Sequence, residues 1–284
     1  GNPFVTTEIT LSTARKLRSD VIKNYYRDIR KLRRRLTFKN IDTIVVDIEN
    51  RLYKSIFNDN KPPKISLEEL KSKLYQIKEI LTNEHKSLFI DDLDDLINKV
   101  NIFGYHFASL DIRQDSRIHT KAFEKVFKIA QQKNLTSSKI DYNSLNDEDK
   151  SKSLSDLKGD ISPNSFEDDL VVSTLSSIRA MKSIQKLNGE KGSNRYIISN
   201  NQSSLNILEV FSMFRLSDWS NPSVDIVPLF ETVSDLTVSS KVMESVYLNP
   251  IYRKHLVNRG NQQTIMLGFS DGTKDGGYFM ANWS

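Results

Sequence analysis

Residues 264–284 read TIMLGFSDGTKDGGYFMANWS. Thr264–Phe269 is a short apolar run of strand length. Ser270–Gly277 follows as a polar, glycine-rich stretch that reads as a loop carrying Asp271, Lys274 and Asp275. From Tyr278 the composition is that of a helix's first turns. A strand, a loop with ionisable groups at the strand's carboxyl end, and a helix make one βα unit of an α/β protein. In such folds that end of the strands is where ligands bind. The last helix carries no Gly, Pro or polar cap to end it, and the chain opens on Gly1-Asn2-Pro3 rather than Met. Both features predict a segment of a longer protein.

Working back from this unit, the same pattern recurs. Val224–Phe230 is an apolar strand closing on Glu231-Thr232, with a helix from about Asp235 to Leu248 capped by Ser234 or Asp235. Asn249–Gln263 reads as a polar connection. Arg195–Asn200 is a strand whose following helix is capped by Ser203 or Ser204. Tyr105–Ile112 has strand length and composition and leads into Arg113, with a helix over about Thr120–Gln132. Between them, Asn134–Phe166 is polar and reads as a surface excursion with one short helix near Asp147–Leu157. A helix from about Phe166 to Leu187 follows and ends at Gly189. Four strand-to-helix units argue for a parallel sheet. The expected fold class is α/β with predominant helix. Residues 103–284 resemble part of a (β/α)8 TIM-type barrel of four units, with a polar helical insertion around 134–190, and a barrel would gather all four strand ends on one rim.

Residues 1–102 read as a separate helical region. Asn2-Pro3 is a turn, and Thr6 or Thr7 caps a long helix with apolar residues at Leu11, Ala14, Leu17, Val21, Tyr25, Ile29, Leu32 and Leu36. Helices over about 41–57, from Ser66 with Glu69 placed for a capping box, and over about 89–100 complete it, with a turn at 58–64 between the first two of these. The first helix ends in Arg27, Arg30, Lys31, Arg33, Arg34 and Arg35. This basic run over 27–35 defines the competing function class, a helical nucleic-acid or protein binding module. The plainer reading is a solvated face whose cations sit well at a helix C-terminus. No aromatic or Gly-rich RNA motif accompanies the run.

The chain has 284 residues, 27% charged, with a net charge of +5. So mild an excess suits anionic substrates as well as nucleic acid. With no cysteine, disulfides and thiolate metal sites are excluded. No apolar run reaches the ~20 residues of a membrane span. The four histidines, His85, His106, His119 and His255, show no metal spacing and receive no role.

The chemistry lies at the strand ends. Glu231 and Asp271 close successive strands, and if those strands are neighbours the two carboxylates can share a hard divalent ion such as Mg²⁺. Spacing alone equally allows each to cap a helix or pair with a lysine. Arg113 offers a guanidinium fork suited to phosphate or carboxylate. A salt bridge to Asp111 or Asp115 is the alternative. The stretch Asp271–Gly277 is neither a Walker A loop, since Lys274 precedes Asp275 rather than Ser or Thr, nor an EF-hand loop.

Taken together these stretches resemble the phosphoenolpyruvate carboxylase family. The matching residues are GNPFVT at 1–6, FGYHFASLDIRQDS at 103–116, DYNSLNDEDK at 141–150, YIISN at 196–200, VPLFETVSDL at 227–236 and MLGFSDGTKDGG at 266–277. LDIRQDS, PLFET and SDxxKD are the specific signals. The resemblance implies a barrel with many added helices and dependence on Mg²⁺ or Mn²⁺. It implies carboxylation of phosphoenolpyruvate by bicarbonate to oxaloacetate and phosphate, through carboxyphosphate and the enolate of pyruvate. By motif position Glu231 and Asp271 would be metal ligands, Arg113 would hold the substrate phosphate, and Lys274 would be a further catalytic cation. The family's catalytic His and its Gly/Arg-rich loop have no counterpart in this sequence, so the segment alone is expected to be inactive. A cytoplasmic homotetramer, with no nucleic-acid or membrane partner, is also implied. Gly272, Thr273 and Gly277 depart from the family's usual Ser, Ala and Ala. Another family of phosphoenolpyruvate-using barrel enzymes would leave LDIRQ and SDxxKD unexplained.

Overall fold

The computed structural model describes residues 5–57 and 61–284. The expected turn at Asn2-Pro3 and the start of the turn at 58–64 lie outside them. The chain divides into two compact units, one of residues 1–110 with 183–193, the other of residues 111–182 with 194–284.

Among the described residues the first unit is built from four helices: α1 (Thr7–Arg33), α2 (Asp42–Ile56), α3 (Leu67–Glu84) and α4 (Ile90–Phe103). Each buries one stripe at three- and four-residue spacing. Val21, Ile22, Tyr25, Ile29 and Leu32 of α1 meet Val45, Ile48 and Leu52 of α2, Leu70, Leu74, Ile77 and Leu81 of α3, and Leu93, Leu96 and Val100 of α4 in one core. Thr6 caps α1 by accepting from the Ile9 amide at 3.3 Å. Ser66 caps α3 by accepting from the Glu69 amide at 3.1 Å. The reciprocal half of that capping box does not form, because the Glu69 carboxylate pairs with Arg51 of α2. The basic end of α1 is likewise engaged within the unit. Arg33 lies 2.7 Å and Arg30 3.6 Å from Glu49 of α2, and Arg35 pairs with Asp92 of α4.

The second unit holds four strands, β1 (Ile112–Asp115), β2 (Arg195–Ser199), β3 (Asp225–Phe230) and β4 (Met266–Leu267). They form one sheet in the order β1-β2-β3-β4, every pair parallel. Six helices connect them, α5 (Ser116–Gln132), α6 (Asp147–Ser155), α7 (Asp169–Asn188, whose last turns belong to the first unit), α8 (Ser204–Arg215), α9 (Val233–Leu248) and α10 (Pro250–Asn258), and α11 (Phe269–Trp283) follows β4. Side chains alternate across a strand with period two. Tyr196, Ile198, Ile226 and Phe230 therefore enter the main core with Phe123, Phe127, Phe211 and Phe214 of the helices. Ile197, Val227 and Leu229 form a small cluster on the opposite face with Met266.

Four expectations are corrected. Tyr105–Ile112 is not a strand. Tyr105 is buried in the first unit, its hydroxyl donating to the Ile65 carbonyl at 2.9 Å, and β1 begins only at Ile112. Residues 134–166 are no mere surface excursion, because Tyr142, Leu154, Leu157 and Ile161 are buried in the main core. The connection 249–263 contains α10, started by Asn249, whose side chain accepts from the Ile251 and Tyr252 amides, and by Pro250 in its first turn. Ser270–Gly276, read as part of a loop over Ser270–Gly277, is helical. It forms the first half of α11, which kinks at Gly277, where φ is 79°.

Candidate active site

The register fixes which side chains meet at the carboxyl ends. Arg113 stands opposite Ile197, and Ile197 opposite Val227, so Arg113 shares the face of the small cluster. Two further steps of two along β3 pass Leu229 and reach Glu231, which therefore projects to the same side. Leu229 is paired with Met266 of β4, and two residues on lies Gly268. Arg113, Glu231 and the start of α11 are brought to one rim by parity alone.

Their contacts follow. Arg113 Nη2 donates to Glu231 Oε1 at 2.7 Å, across the intervening strand β2. Glu231 Oε2 accepts from the backbone amide of Asn200, at the end of β2, at 3.1 Å. Asn200 can turn that amide inward because it sits in the left-handed region, φ 53°, which Asn tolerates better than most residues. The Asn200 carbonyl accepts from Ser116 Oγ at 2.5 Å, so the ends of β1, β2 and β3 are tied through one residue. Asp111 and Asp115, the alternative partners for Arg113, are engaged elsewhere. Asp111 lies 3.7 Å from Arg195. Asp115 caps α5 and pairs with Arg117 at 2.7 Å, and that guanidinium holds its carboxyl below the usual range.

The Asp271 segment lies directly against Glu231. A Cβ built on Gly268 would stand 3.1 Å from both the Cα and Cγ of Glu231, and one on Gly272 would stand 3.4 Å from its carbonyl oxygen. Asp271 and Lys274, three residues apart on the exposed first turns of α11, are 3.3 Å from each other. Asp275 Oδ2 accepts from the Val233 amide, the first of α9, at 2.9 Å.

A family model described as "Phosphoenolpyruvate carboxylase" matches residues 49–284, the greater part of the chain. The chain belongs to the phosphoenolpyruvate carboxylase family. A curated relative of that name from Nitrosomonas eutropha is 32% identical over 217 residues, which are 73% of this chain and 23% of the relative. The chain thus spans about a quarter of the length of that phosphoenolpyruvate carboxylase.

A divalent ion is expected for the family, and hard oxygen donors near the strand ends are few. Among the described residues no three His, Cys, Asp or Glu side chains converge as a metal cage. Glu231 and Asp271 are each paired with a cation, Arg113 and Lys274. One or two carboxylates with the remaining positions left to water and substrate is the usual provision for Mg²⁺, in contrast to an all-protein Ca²⁺ site. Carboxylate oxygens such as those of Glu231 and Asp271 are the hard donors an ion of that kind takes. Asn200 and Asp275 were named in the sequence reading without a role at the site. Asn200 was legible only as a polar strand terminus, and the bond from Asp275 depends on α11 being a helix. Among the described residues no helix is long and apolar enough to cross a membrane.

Proposed function

We propose that this chain contributes the phosphoenolpyruvate- and metal-binding rim of a phosphoenolpyruvate carboxylase. In that reading Glu231 and Asp271 hold Mg²⁺ or Mn²⁺, Arg113 grips the substrate phosphate, and Lys274 adds positive charge beside it. The observation that carries it is the Arg113–Glu231 pair, which joins the second residue of β1 to the residue that follows the carboxyl end of β3. A guanidinium held beside a carboxylate is half-exposed and free to exchange it for a phosphate of matching geometry. Within the family reaction, phosphoryl transfer from phosphoenolpyruvate to bicarbonate breaks the enol O–P bond and gives the enolate of pyruvate and carboxyphosphate. Carboxyphosphate then splits into carbon dioxide and phosphate, and the enolate attacks the carbon dioxide to give oxaloacetate. Such transfer is mainly positioning and charge stabilisation. Arg113 orients the phosphate, the Asn200 amide holds Glu231 in place, and Lys274 lies beside the developing charge. A bound divalent ion would supply positive charge against the anionic reactants.

The four parallel strands, with the small apolar cluster on the face away from the helices, support a reading as part of a (β/α)8 barrel. Family likeness alone supports a cytoplasmic homotetramer. The binding-module alternative loses its footing, since cations of the basic run are paired with Glu49 and Asp92.

Isothermal titration with phosphoenolpyruvate and Mg²⁺ tests the reading. Weak binding lost in Arg113→Ala is expected, and binding indifferent to that substitution overturns it. A coupled oxaloacetate assay, run beside the Nitrosomonas eutropha relative, should show turnover by the relative and none by this chain. Robust turnover by the chain would show that its active site needs nothing more.

A further inference from the structure

We infer that Asp275 is a positioning residue that clamps α11 to the start of α9 and so sets the relation between Glu231 and Asp271; the inference rests on the metal-binding reading of those two carboxylates. The first amides of a helix have no partner within it. At α9, Thr232 Oγ1 accepts from the Asp235 amide and Asp235 Oδ2 accepts from the Thr232 amide, both at 3.1 Å. That capping box leaves the Val233 amide over, and Asp275 Oδ2 takes it at 2.9 Å. The donor is two residues from Glu231. The acceptor is four residues, about one helical turn, from Asp271 and therefore on the same side of α11.

Glycine spacing makes the approach possible. Gly268, Gly272 and Gly276 recur every four residues and line one side of the start of α11. Cβ atoms there would stand 3.1 Å from Glu231 Cα, 3.4 Å from the Glu231 carbonyl and 2.6 Å from Val233 Cγ2. The first turns of α11 thus run along Glu231–Val233 at backbone contact, and the Asp275 bond fixes the far end of that contact. Asp275 acts through the helix that carries Asp271 and the helix start that follows Glu231.

The test uses the 284-residue chain and Asp275→Ala, Asp275→Asn and Gly276→Ala, with Glu231→Gln and Asp271→Asn as references. Hydrogen exchange at the Val233 amide, read by NMR, should quicken by about tenfold or more in Asp275→Ala and stay near the parent rate in Asp275→Asn, whose amide oxygen can still accept. Mn²⁺ affinity, read from the electron paramagnetic resonance of free Mn²⁺, should fall about tenfold in Asp275→Ala and Gly276→Ala and recover to within about threefold in Asp275→Asn. Unchanged exchange in Asp275→Ala overturns the clamp. Equal loss of Mn²⁺ in Asp275→Asn and Asp275→Ala also overturns it, because the charge of Asp275 would then be acting on the ion directly. If the parent binds no Mn²⁺, or Glu231→Gln and Asp271→Asn bind it as well as the parent, the metal reading fails instead, and the Val233 exchange still decides whether the clamp exists. Should Asp275→Ala fail to fold, Gly276→Ala probes the same contact without altering a carboxylate.

Discussion

Glu231 accepts two hydrogen bonds, from a guanidinium and from a backbone amide, and both come from other strands. Because the Arg113 side chain is 53% exposed, its ion pair with Glu231 contributes little to stability, about 1 kcal/mol or less. Arg113→Ala should therefore shift thermal unfolding only slightly while weakening phosphoenolpyruvate binding by roughly ten- to a hundredfold, the range of a hydrogen bond to a charged group. A large fall in melting temperature with unchanged binding would assign Arg113 a structural role. His119 carries a different kind of prediction. It is buried against Tyr196, 2.9 Å from its hydroxyl, and burial lowers its pKa to about 3. Burial lowers that of His255 to about 4. A histidine depressed in the native state binds its proton more readily when unfolded. Stability should thus be full above about pH 6.5 and decline as pH falls toward those values, by roughly 2 kcal/mol at pH 5 for each group. Denaturant unfolding at pH 7 and pH 5 checks this, and His119→Gln should flatten the decline. At this scale Asn200 and Glu231 were legible from sequence as the polar residues that follow β2 and β3, whereas Arg113, read as a strand end, is the second residue of β1, and Asp271, read the same way, lies on α11. The pairing of Arg113 with Glu231 was not legible, because it crosses β2 and depends on a register that no local pattern encodes.

Among the elements, α11 differs most from its sequence reading. Gly272, Gly276 and Gly277 look like a flexible loop, since glycine costs about 1 kcal/mol in a helix interior relative to alanine. Here the first two face Glu231 and Val233, a packing requirement invisible to propensity, and only Gly277 breaks the helix. The glycines along this contact can be separated by experiment. Gly272→Ala meets only ordinary contacts and should stabilise the chain by up to ~1 kcal/mol through helix propensity. Gly268→Ala must push against the Glu231 backbone at 3.1 Å and should destabilise it by about 1–3 kcal/mol. Chemical denaturation of both variants checks the order, and equal effects would mean that α11 does not dock where described. Tyr105–Ile112 was misread for a related reason. Its aromatic and β-branched residues suit a strand, yet Tyr105 is buried in the helical core and the Leu110 amide bonds the Gly192 carbonyl. The start of α10 was readable, since Asn followed by Pro is a helix-start signature, but the polar residues around it hid it.

Over the whole molecule, the helical region and the parallel sheet both follow from hydrophobic period, which is the strongest signal a single sequence carries. The division into units was less legible, because residues 183–193 return to the first unit through the end of α7. There Asn188 accepts from Arg18 and donates to the Ala14 carbonyl, both of α1. The sheet ends at β4, where Leu267 is 65% exposed beside a cleft of about 720 Å³ lined by Phe230, Met243, Tyr247 and Ile265. An apolar strand edge of this kind promotes pairing with other chains. Sedimentation velocity should show self-association that weakens in Leu267→Lys, and a monomer at all concentrations would show that the edge is protected. In the proposed function Glu231, Asp271 and Arg113 form one site for a divalent ion and a phosphorylated substrate. It is tested most directly by titrating the chain with Mn²⁺, with and without phosphoenolpyruvate, and following free Mn²⁺ by electron paramagnetic resonance. Weak Mn²⁺ binding, tightened by phosphoenolpyruvate, should be lost in Glu231→Gln and in Asp271→Asn, and the tightening alone should be lost in Arg113→Ala. Mn²⁺ binding that survives both carboxylate substitutions unchanged would contradict the account.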